Sequence, residues 1–376
     1  MAKHVYIPIV KGKLNDLRSL GRLVPEIRSL IKPLIELPPV SIKTKNVDDH
    51  LDKFMAHLKD SKEQGPAFVD FYGFFPGEKD SSGMPAPVAG YMRLAAENRL
   101  VTPVYGFGRD EKVWVHLPAV VAEHKRGFCF RLEEDDLESD VVEETWDSIV
   151  SRAAELALPM NQIDLVLDLR DVRVKSVDER VALVTDFLLE MPEGMGFRTV
   201  AVAGSSAPKD VSVVKADALG VIERNELKIW ARLAADLAMG TNLCYSDYGI
   251  VHPDFAADDM PVGGTANCKI RYTTDNNILV FRGHKRAGDS GQPFELARQV
   301  CAHSAYCGSG FSFGDEYIER VADPDDSTGP GNLGNWVLAD MNHHLAFATR
   351  QMEQLLASIE SAETEEEVEE IWEAVI

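Results

Sequence analysis

The chain has 376 residues, of which 45% are hydrophobic, and its 61 acidic and 39 basic residues give a formal net charge of −22. This charge argues against non-specific coating of nucleic acid or of anionic lipid, although a local basic pocket is compatible with it. No stretch reaches the roughly 18 apolar residues of a membrane span, and the N-terminus lacks the apolar core of a signal peptide. We therefore expect a cytoplasmic protein with no membrane partner.

Five cysteines are scattered along the chain without a CxxC pair: Cys129, Cys244, Cys268, Cys301 and Cys307. In a chain of this length, an odd and dispersed set predicts buried free thiols and not a disulfide framework. A reducing compartment agrees with that prediction.

Short apolar runs alternate with helical patterns through the first half of the chain. Strands are predicted at residues 6–10, 33–39, 66–73, 101–106 and 127–132, and helices at 14–31, 48–62, 88–98, 117–125 and 142–158. The Gly/Pro/Ser-rich run at 76–87 predicts a long loop after the third strand.

The sixth predicted strand, Ile163–Asp171, organises the fold. Leu165 and Leu167 share one side of an extended strand, whereas Asp164 and Asp168 share the other. A helix at 177–189, a strand at 199–203, a helix at 223–237 and a strand at 243–249 complete eight strands. This alternation predicts one α/β domain over residues 1–376, a (β/α)8 TIM-like barrel, with a doubly wound open sheet as the main alternative.

Residues 263–335 are predicted to elaborate the barrel between its eighth strand and its last helix. Segments 268–274 and 278–283 flank an Asp-Asn-Asn turn and predict a β-hairpin. A helix at 294–306, a Gly/Ser loop at 308–310 and a long loop at 323–335 follow. The last barrel helix is predicted at 336–359, and an acidic helix within 361–376 either caps the domain or meets a protein partner.

Polar residues end the predicted strands, and the strand ends of a parallel barrel converge on one mouth. These residues are Lys11, Glu36, Asp70, Arg131, Asp168, Arg170, Ser205, Ser206 and Asp247. Charges inside a strand pattern are costly unless they are paired or used. We therefore expect these side chains either to bind an anionic substrate, where a divalent metal could serve as cofactor, or to pair with one another into a neutral lattice.

Three further features could bear on the mouth. The Gly204-Ser205-Ser206 turn lies where barrels often hold phosphate, although Gly and Ser are also ordinary turn formers. Arg271 and Arg282 on the hairpin either focus an anion or balance nearby acids. His343 and His344 point about 100° apart on a helix, so at most one of them reaches the mouth; the alternative is that both are structural.

The chain has no HExxH and no Walker loop.

Several short signatures follow one another across nearly the whole chain. They are Tyr6-x-Pro8-Ile9-x-Lys11-x-Lys13, Pro33-Leu34-Ile35-Glu36-x-Pro38, Gly204-Ser205-Ser206-x-Pro208, Tyr245-Ser246-Asp247-Tyr248-Gly249, Arg271-Tyr272-Thr273, Arg282-Gly283, Ser312-x-Gly314-Asp315, and Trp336 with Asn342-His343-His344. With them the chain resembles the "beta protein" family of phage and bacterial genomes. The resemblance implies a setting in phage biology or bacterial defence and carries no activity onto these residues.

The leading hypothesis is a hydrolase that acts on a phosphate-bearing small molecule or nucleotide at the mouth. A general base or metal ligand would come from Glu36, Asp70, Asp168 or Asp247, and the proton donor would be His343 or His344. The predicted substrate-binding residues are Lys11, Arg131, Arg170, Ser205, Ser206, Tyr248, Arg271, Tyr272 and Arg282. The alternative is a non-catalytic ligand-sensing or protein-binding component of phage–host conflict, with the acidic tail at 365–370 as its contact surface.

Overall fold

The structure is a computed structural model that describes residues 4–40, 46–236, 243–254, 267–285 and 291–375. Its strands are β1 (Tyr6–Lys11), β2 (Leu34–Glu36), β3 (Phe68–Asp70), β4 (Thr102–Tyr105), β5 (Phe128–Glu133), β6 (Ile163–Asp171), β7 (Thr199–Ser205), β8 (Ala218–Glu223), β9 (Leu243–Asp247), β10 (Asn267–Thr273) and β11 (Asn277–Lys285). Strands β1 to β7 and β9 close a parallel barrel in chain order, with β9 paired to β1. The predicted (β/α)8 barrel is confirmed.

Helices cover the outside of the barrel and support the elaboration. They are α1 (Leu14–Gly21), α2 (Pro25–Ser29), α3 (Val47–Ser61), α4 (Ala86–Ala96), α5 (Glu111–Trp114), α6 (Leu117–His124), α7 (Val142–Glu155), α8 (Val177–Leu189), α9 (Asn225–Asp236), α10 (Gln292–Ala302), α11 (Phe313–Ala322), α12 (Leu333–Ser361) and α13 (Glu365–Glu373). No helix in the described part of the chain is both long enough and apolar enough to cross a membrane.

The two-residue period of the strands separates two apolar layers. Leu165, Leu167 and Leu169 of β6 belong to the large cluster between the barrel and its helices. Val166 of the same strand belongs to the smaller cluster that fills the barrel interior. Alternation along an extended strand therefore places Asp168 inward near the carboxyl end of the barrel.

The predicted hairpin is the centre of a three-stranded antiparallel sheet. β10 pairs with β11, and β11 pairs with β8 on its other edge, so that Ile278 lies opposite Ile222. The residues of β8 are not among the predicted strands, because its side chains alternate between half-buried and exposed and Gly220 interrupts the run. A Cβ on Gly220 would lie 2.2 Å from a methyl of Val214, which explains the glycine.

The predicted helix at 14–31 is two helices. Pro25 opens α2 and cannot continue the hydrogen bonds of α1. At the end of α1, a Cβ on Gly21 would lie 2.0 Å from the Ser61 carbonyl oxygen, so α1 packs directly on the end of α3. Helix α11 adds to the predicted elements, since it lies between the predicted loops at 308–310 and 323–335.

The structure agrees with the prediction that the cysteines form no disulfide framework, but their burial was predicted too broadly. All five lie in the described part of the chain, and none of them is in a disulfide there. Cys129, Cys244 and Cys268 are buried, Cys301 is half-buried and Cys307 is exposed.

The acidic helix α13 packs against the barrel domain. Trp372 is buried, and its ring centroid lies 5.6 Å from that of Trp230 on α9. The glutamates of its first turn stay exposed. Packing accounts for the apolar side of α13, and a protein partner for its acidic side stays a prediction.

Candidate functional site

A buried ion network fills the mouth of the barrel and has Arg131 at its centre. Lys11, Glu36 and Asp70 are neighbours in register at the ends of β1, β2 and β3. From β5, Arg131 Nη1 donates to Asp70 Oδ2 at 2.8 Å and Nη2 to Glu36 Oε2 at 2.8 Å. Its Nε and Nη2 both donate to Asp168 Oδ2, at 2.9 and 2.7 Å. One guanidinium therefore holds three carboxylates from three strands.

Two further cations make the network neutral. Lys11 Nζ donates to Glu36 and also to the Pro253 carbonyl at 2.6 Å. Arg109, on the loop after β4, is bidentate to Asp70, with Nη1 to Oδ1 at 2.6 Å and Nη2 to Oδ2 at 3.1 Å. Three cations thus face three carboxylates. We call these six residues the inner layer of the mouth. They pair with one another, as in the neutral lattice that was one of the two alternatives from the sequence.

Burial and the cations act oppositely on Glu36. Burial alone would raise the pKa of its carboxyl group, but the charges and hydrogen bonds of Lys11 and Arg131 lower the pKa to about 2. Tyr248 closes the network from the end of β9, because its hydroxyl accepts from Arg131 Nη2 at 2.6 Å and donates to Asp168 Oδ2 at 2.5 Å. Burial raises the pKa of the Tyr248 hydroxyl well above its usual value. Glu36 is therefore ionised and the Tyr248 hydroxyl protonated near neutral pH.

Arg170, Glu133 and Asp254 form an outer layer of the mouth, which is more exposed than the inner layer. Arg170 has a φ of +52°, and Nη2 donates to Asp254, whose side chain is 56% exposed, at 2.6 Å. Its Nη1 is buried and has no hydrogen-bond partner within the described ranges; this nitrogen lies 3.9 Å from Glu133 Oε1. This layer keeps hydrogen-bonding capacity that its own residues do not use.

Tyr72 gathers three guanidinium groups at the boundary between the two layers. The Cζ atoms of Arg131 and Arg170 lie 5.0 Å from its ring centroid, and that of Arg109 lies 5.2 Å away. This separation is typical of cation–π contacts. Burial raises the pKa of the Tyr72 hydroxyl to about 12, and a hydrogen bond to Glu133 adds to the shift.

The Gly204-Ser205-Ser206 turn is engaged by the protein itself. Ser205 Oγ donates to the Val251 carbonyl at 3.2 Å, and Ser206 Oγ donates to Glu226 Oε2 at 2.5 Å. Both serines are buried. A phosphate would have to displace these hydrogen bonds before it could bind to the two serine hydroxyls.

Asp247 lies on the outer side of the barrel and not in the mouth. Tyr245 Oη donates to Asp247 Oδ2 at 2.7 Å, and His344 Nε2 lies 3.0 Å from the same oxygen. His344 Nδ1 lies 2.8 Å from the Thr273 hydroxyl. The contacts with His344 and the charge of Arg224 lower the pKa of the Asp247 carboxyl group despite its burial. This cluster joins β9 to α12.

His343 belongs to the core of the elaboration. Its Nδ1 lies 2.9 Å from Asp315 Oδ2 and its Nε2 lies 2.9 Å from the Thr273 carbonyl. Its ring stacks on Tyr272 at 3.8 Å, and Tyr272 Oη donates to Asp315 Oδ1 at 2.6 Å. Ser312 also donates to this carboxylate, at 2.6 Å. His343, His344 and Tyr272 are thus held away from the inner mouth by their own partners.

The two hairpin arginines also have internal partners. Arg271 Nε lies 3.2 Å from Asp340 Oδ2, and its Nη1 donates to the Ile250 carbonyl at 2.8 Å. Arg282 donates to the Val211 carbonyl at 2.9 Å and also to that of Val214. Arg271 therefore links the elaboration to the segment that follows β9, whereas Arg282 stabilises the segment before β8.

Sequence reasoning missed Arg109 and Tyr72, which lie on loops without strand or helix periodicity. It also missed two glycine motifs. Gly310-Phe311-Ser312-Phe313-Gly314 has the GxSxG spacing, but Ser312 caps α11 and donates to Asp315, not to a histidine. The GxGxxG run at 329–334 opens α12 but follows a helix and loop, not a strand. No group of three or more His, Cys, Asp or Glu side chains in the described part of the chain is arranged to hold a metal.

A closed parallel barrel with helices outside and an ion network at its carboxyl end defines a (β/α)8-barrel protein. The chain matches the family described as "Beta protein" over residues 6–350, and it belongs to that family. No curated protein matches it.

Proposed function

We propose that the mouth of the barrel binds a phosphate-bearing small molecule, such as a nucleotide, through its outer layer. The observation that carries the proposal is the gathering of Arg109, Arg131 and Arg170 around Tyr72, with Arg170 Nη1 lacking a partner among the described residues. Guanidinium groups bind phosphate oxygens with two parallel hydrogen bonds, which makes arginine the preferred residue for this recognition.

The outer ion pairs of Arg170 can be exchanged for a ligand. Asp254 is 56% exposed and Glu133 is 36% exposed. Ion pairs with such exposed carboxylates contribute only about 0–1 kcal/mol, so a phosphate can replace them at low cost. Asp70, Glu36 and Asp168 are buried and stay with Arg131. Binding therefore uses Arg170 of the outer layer together with Arg109, the most exposed cation of the inner layer, and the rest of the inner layer fixes their position.

A thermal-shift screen of nucleotides, sugar phosphates and inorganic phosphate tests this proposal, because a ligand that binds only the folded state raises the melting temperature. We expect at least one phosphate compound to raise it, and Arg170→Ala and Arg109→Ala to remove the shift. Arg152→Ala, which changes a half-buried arginine on α7 paired with Glu111, is the matched control. A shift that survives both mouth substitutions contradicts the proposal.

Hydrolysis of the bound molecule is a second candidate, and the position of Asp168 favours it. Its Oδ1 accepts the Arg170 backbone N–H at 3.0 Å, so this carboxylate lies directly beneath the outer layer. In that position Asp168 would act as the general base, with Tyr248 and Arg131 holding it. Phosphate release by the wild type, lost in Asp168→Asn while ligand binding is retained, supports hydrolysis.

Binding without phosphate release favours the ligand-sensing alternative. The setting in phage–host conflict, proposed from the family resemblance, suits either outcome. A dependence of phosphate release on added divalent metal, abolished by a chelator, would extend the proposal to a metal-assisted reaction.

A further inference from the structure

Cations precede several barrel strands, at the end of the barrel opposite the mouth. Lys32 lies just before β2, Arg99 before β4, Arg126 before β5 and Arg198 before β7. The amino ends of parallel strands converge on one face of a barrel just as the carboxyl ends do. A cavity of about 1680 Å³ lies at this face and is lined by all four residues together with Lys125.

This cavity is basic although the chain carries a net charge of −22. Its lining has five Lys or Arg residues but only Glu63 and Glu97 as acids. Arg28 neutralises Glu63 through a bidentate contact, with Nε to Oε2 at 3.0 Å. Beneath the lining, Asp164 accepts from Arg198 Nε at 2.9 Å. With Arg28 and Asp164 included, six cations face three carboxylates, which leaves an excess of three positive charges.

Lys32 supplies the deepest of these charges. Its side chain is 12% exposed, and Nζ lies 3.6 Å from the centroid of the Phe68 ring. Among the described residues its side chain makes one hydrogen bond, a long one of 3.4 Å to Asp164 Oδ2. An ammonium has three donors, so a bound anion would complete its coordination. Burial lowers the pKa of Lys32 despite the nearby Asp164 carboxylate, as expected for an incompletely solvated cation.

We propose that this basal cavity binds a polyphosphate chain, carried by inorganic polyphosphate or by a nucleotide. Lys32 would contact the inner phosphate, and Lys125 and Arg126 the outer ones. Both outer residues are exposed and have no ion pair within the described ranges. A chain of phosphates carries several negative charges and so matches the excess of three better than a single carboxylate does. The cavity is at the other end of the barrel from the mouth, and the proposal does not depend on the proposed function.

Isothermal titration with inorganic triphosphate tests the basal site. The variant Lys125→Ala/Arg126→Ala removes two exposed cations without disturbing the core, and Lys53→Ala/Lys59→Ala removes two exposed lysines of α3 as the matched control. We expect saturable binding to the wild type, a loss of affinity of about tenfold or more in the first variant and a change below about twofold in the control.

The mouth variant Arg109→Ala/Arg170→Ala separates this site from the proposed function. Retained triphosphate binding in that variant supports the basal site. Binding lost in the mouth variant but kept in Lys125→Ala/Arg126→Ala overturns it, as does the lack of saturable binding to the wild type. An equal loss in the lysine control also overturns it, since that result indicates non-specific attraction. A parallel titration with ATP distinguishes the sources: tighter binding of ATP than of triphosphate shows that the nucleoside is recognised and favours a nucleotide, whereas equal or weaker binding shows that the site recognises only the phosphate chain.

Discussion

Replacing Arg131 by methionine should break the ion network of the mouth. Arg131 is buried and bonds to Glu36, Asp70 and Asp168, so the variant Arg131→Met leaves three buried carboxylates with only Lys11 and Arg109. Removing one side of a buried pair costs about 3–5 kcal/mol, and we expect that loss in the free energy of unfolding at pH 7. Urea denaturation measures it.

The loss should also depend on pH. In the wild type the pKa of Glu36 is about 2, below its ordinary value of 4.5, so its contribution is present above pH 4.5 and disappears as the pH falls toward 2. This shift corresponds to about 3 kcal/mol. Without Arg131 the pKa of Glu36 rises and protonation relieves the unpaired charge. The destabilisation caused by Arg131→Met should therefore be smaller at pH 4 than at pH 7, by about 1 kcal/mol or more.

Arg152→Met is the surface control and should cost less than about 1 kcal/mol. Its partners Glu111 and Glu155 are 73% and 48% exposed. A loss for Arg131→Met no larger than that of this control would show that Arg131 does not stabilise the buried carboxylates. So would a loss that is the same at pH 4 and pH 7.

Three other predictions concern stability, and urea denaturation measures each of them. Trp372→Ala should lower the free energy of unfolding by about 3 kcal/mol because Trp372 is buried against Trp230; no measurable loss would mean that α13 does not pack there. Glu226→Gln should gain stability over the wild type as the pH rises from 5 to 8. Burial raises the pKa of Glu226 to about 7, so the native wild type holds a proton that the unfolded chain has released and loses up to about 3 kcal/mol across that range; a pH-independent difference contradicts this. Gly21→Ala should cost about 1–3 kcal/mol because its methyl meets the Ser61 carbonyl, and an unchanged stability would contradict the close packing of α1 on α3.

The barrel was predictable because its strands have a strong local signal. The leucines of β6 alternate with inward residues, and this pattern identifies both the strand and its buried face. The meeting of Lys11, Glu36 and Asp70 follows from topology alone, since the carboxyl ends of neighbouring parallel strands share one edge. Their exact pairing with Arg131 was not predictable, because it depends on rotamers chosen in three dimensions.

Asp247 shows where sequence reasoning fails. Tyr245, Asp247 and Tyr248 are all polar or aromatic, so the run does not reveal which residues face inward. The register of β9 with β1 decides this, and it places Tyr248 inside and Asp247 outside. Arg109 was missed for a different reason, since it lies on a loop whose path is determined by tertiary contacts.

Binding of a phosphate-bearing molecule by the outer layer of the mouth is the proposal on which the proposed function rests. The most direct test is an isothermal titration of the wild type and of Arg170→Ala with the phosphate compound that gives the largest thermal shift. We predict saturable binding to the wild type and an affinity lower by about tenfold or more in Arg170→Ala, because one charged hydrogen-bonding partner is removed. Equal affinity in the two proteins would contradict the claim and place the ligand elsewhere on the molecule.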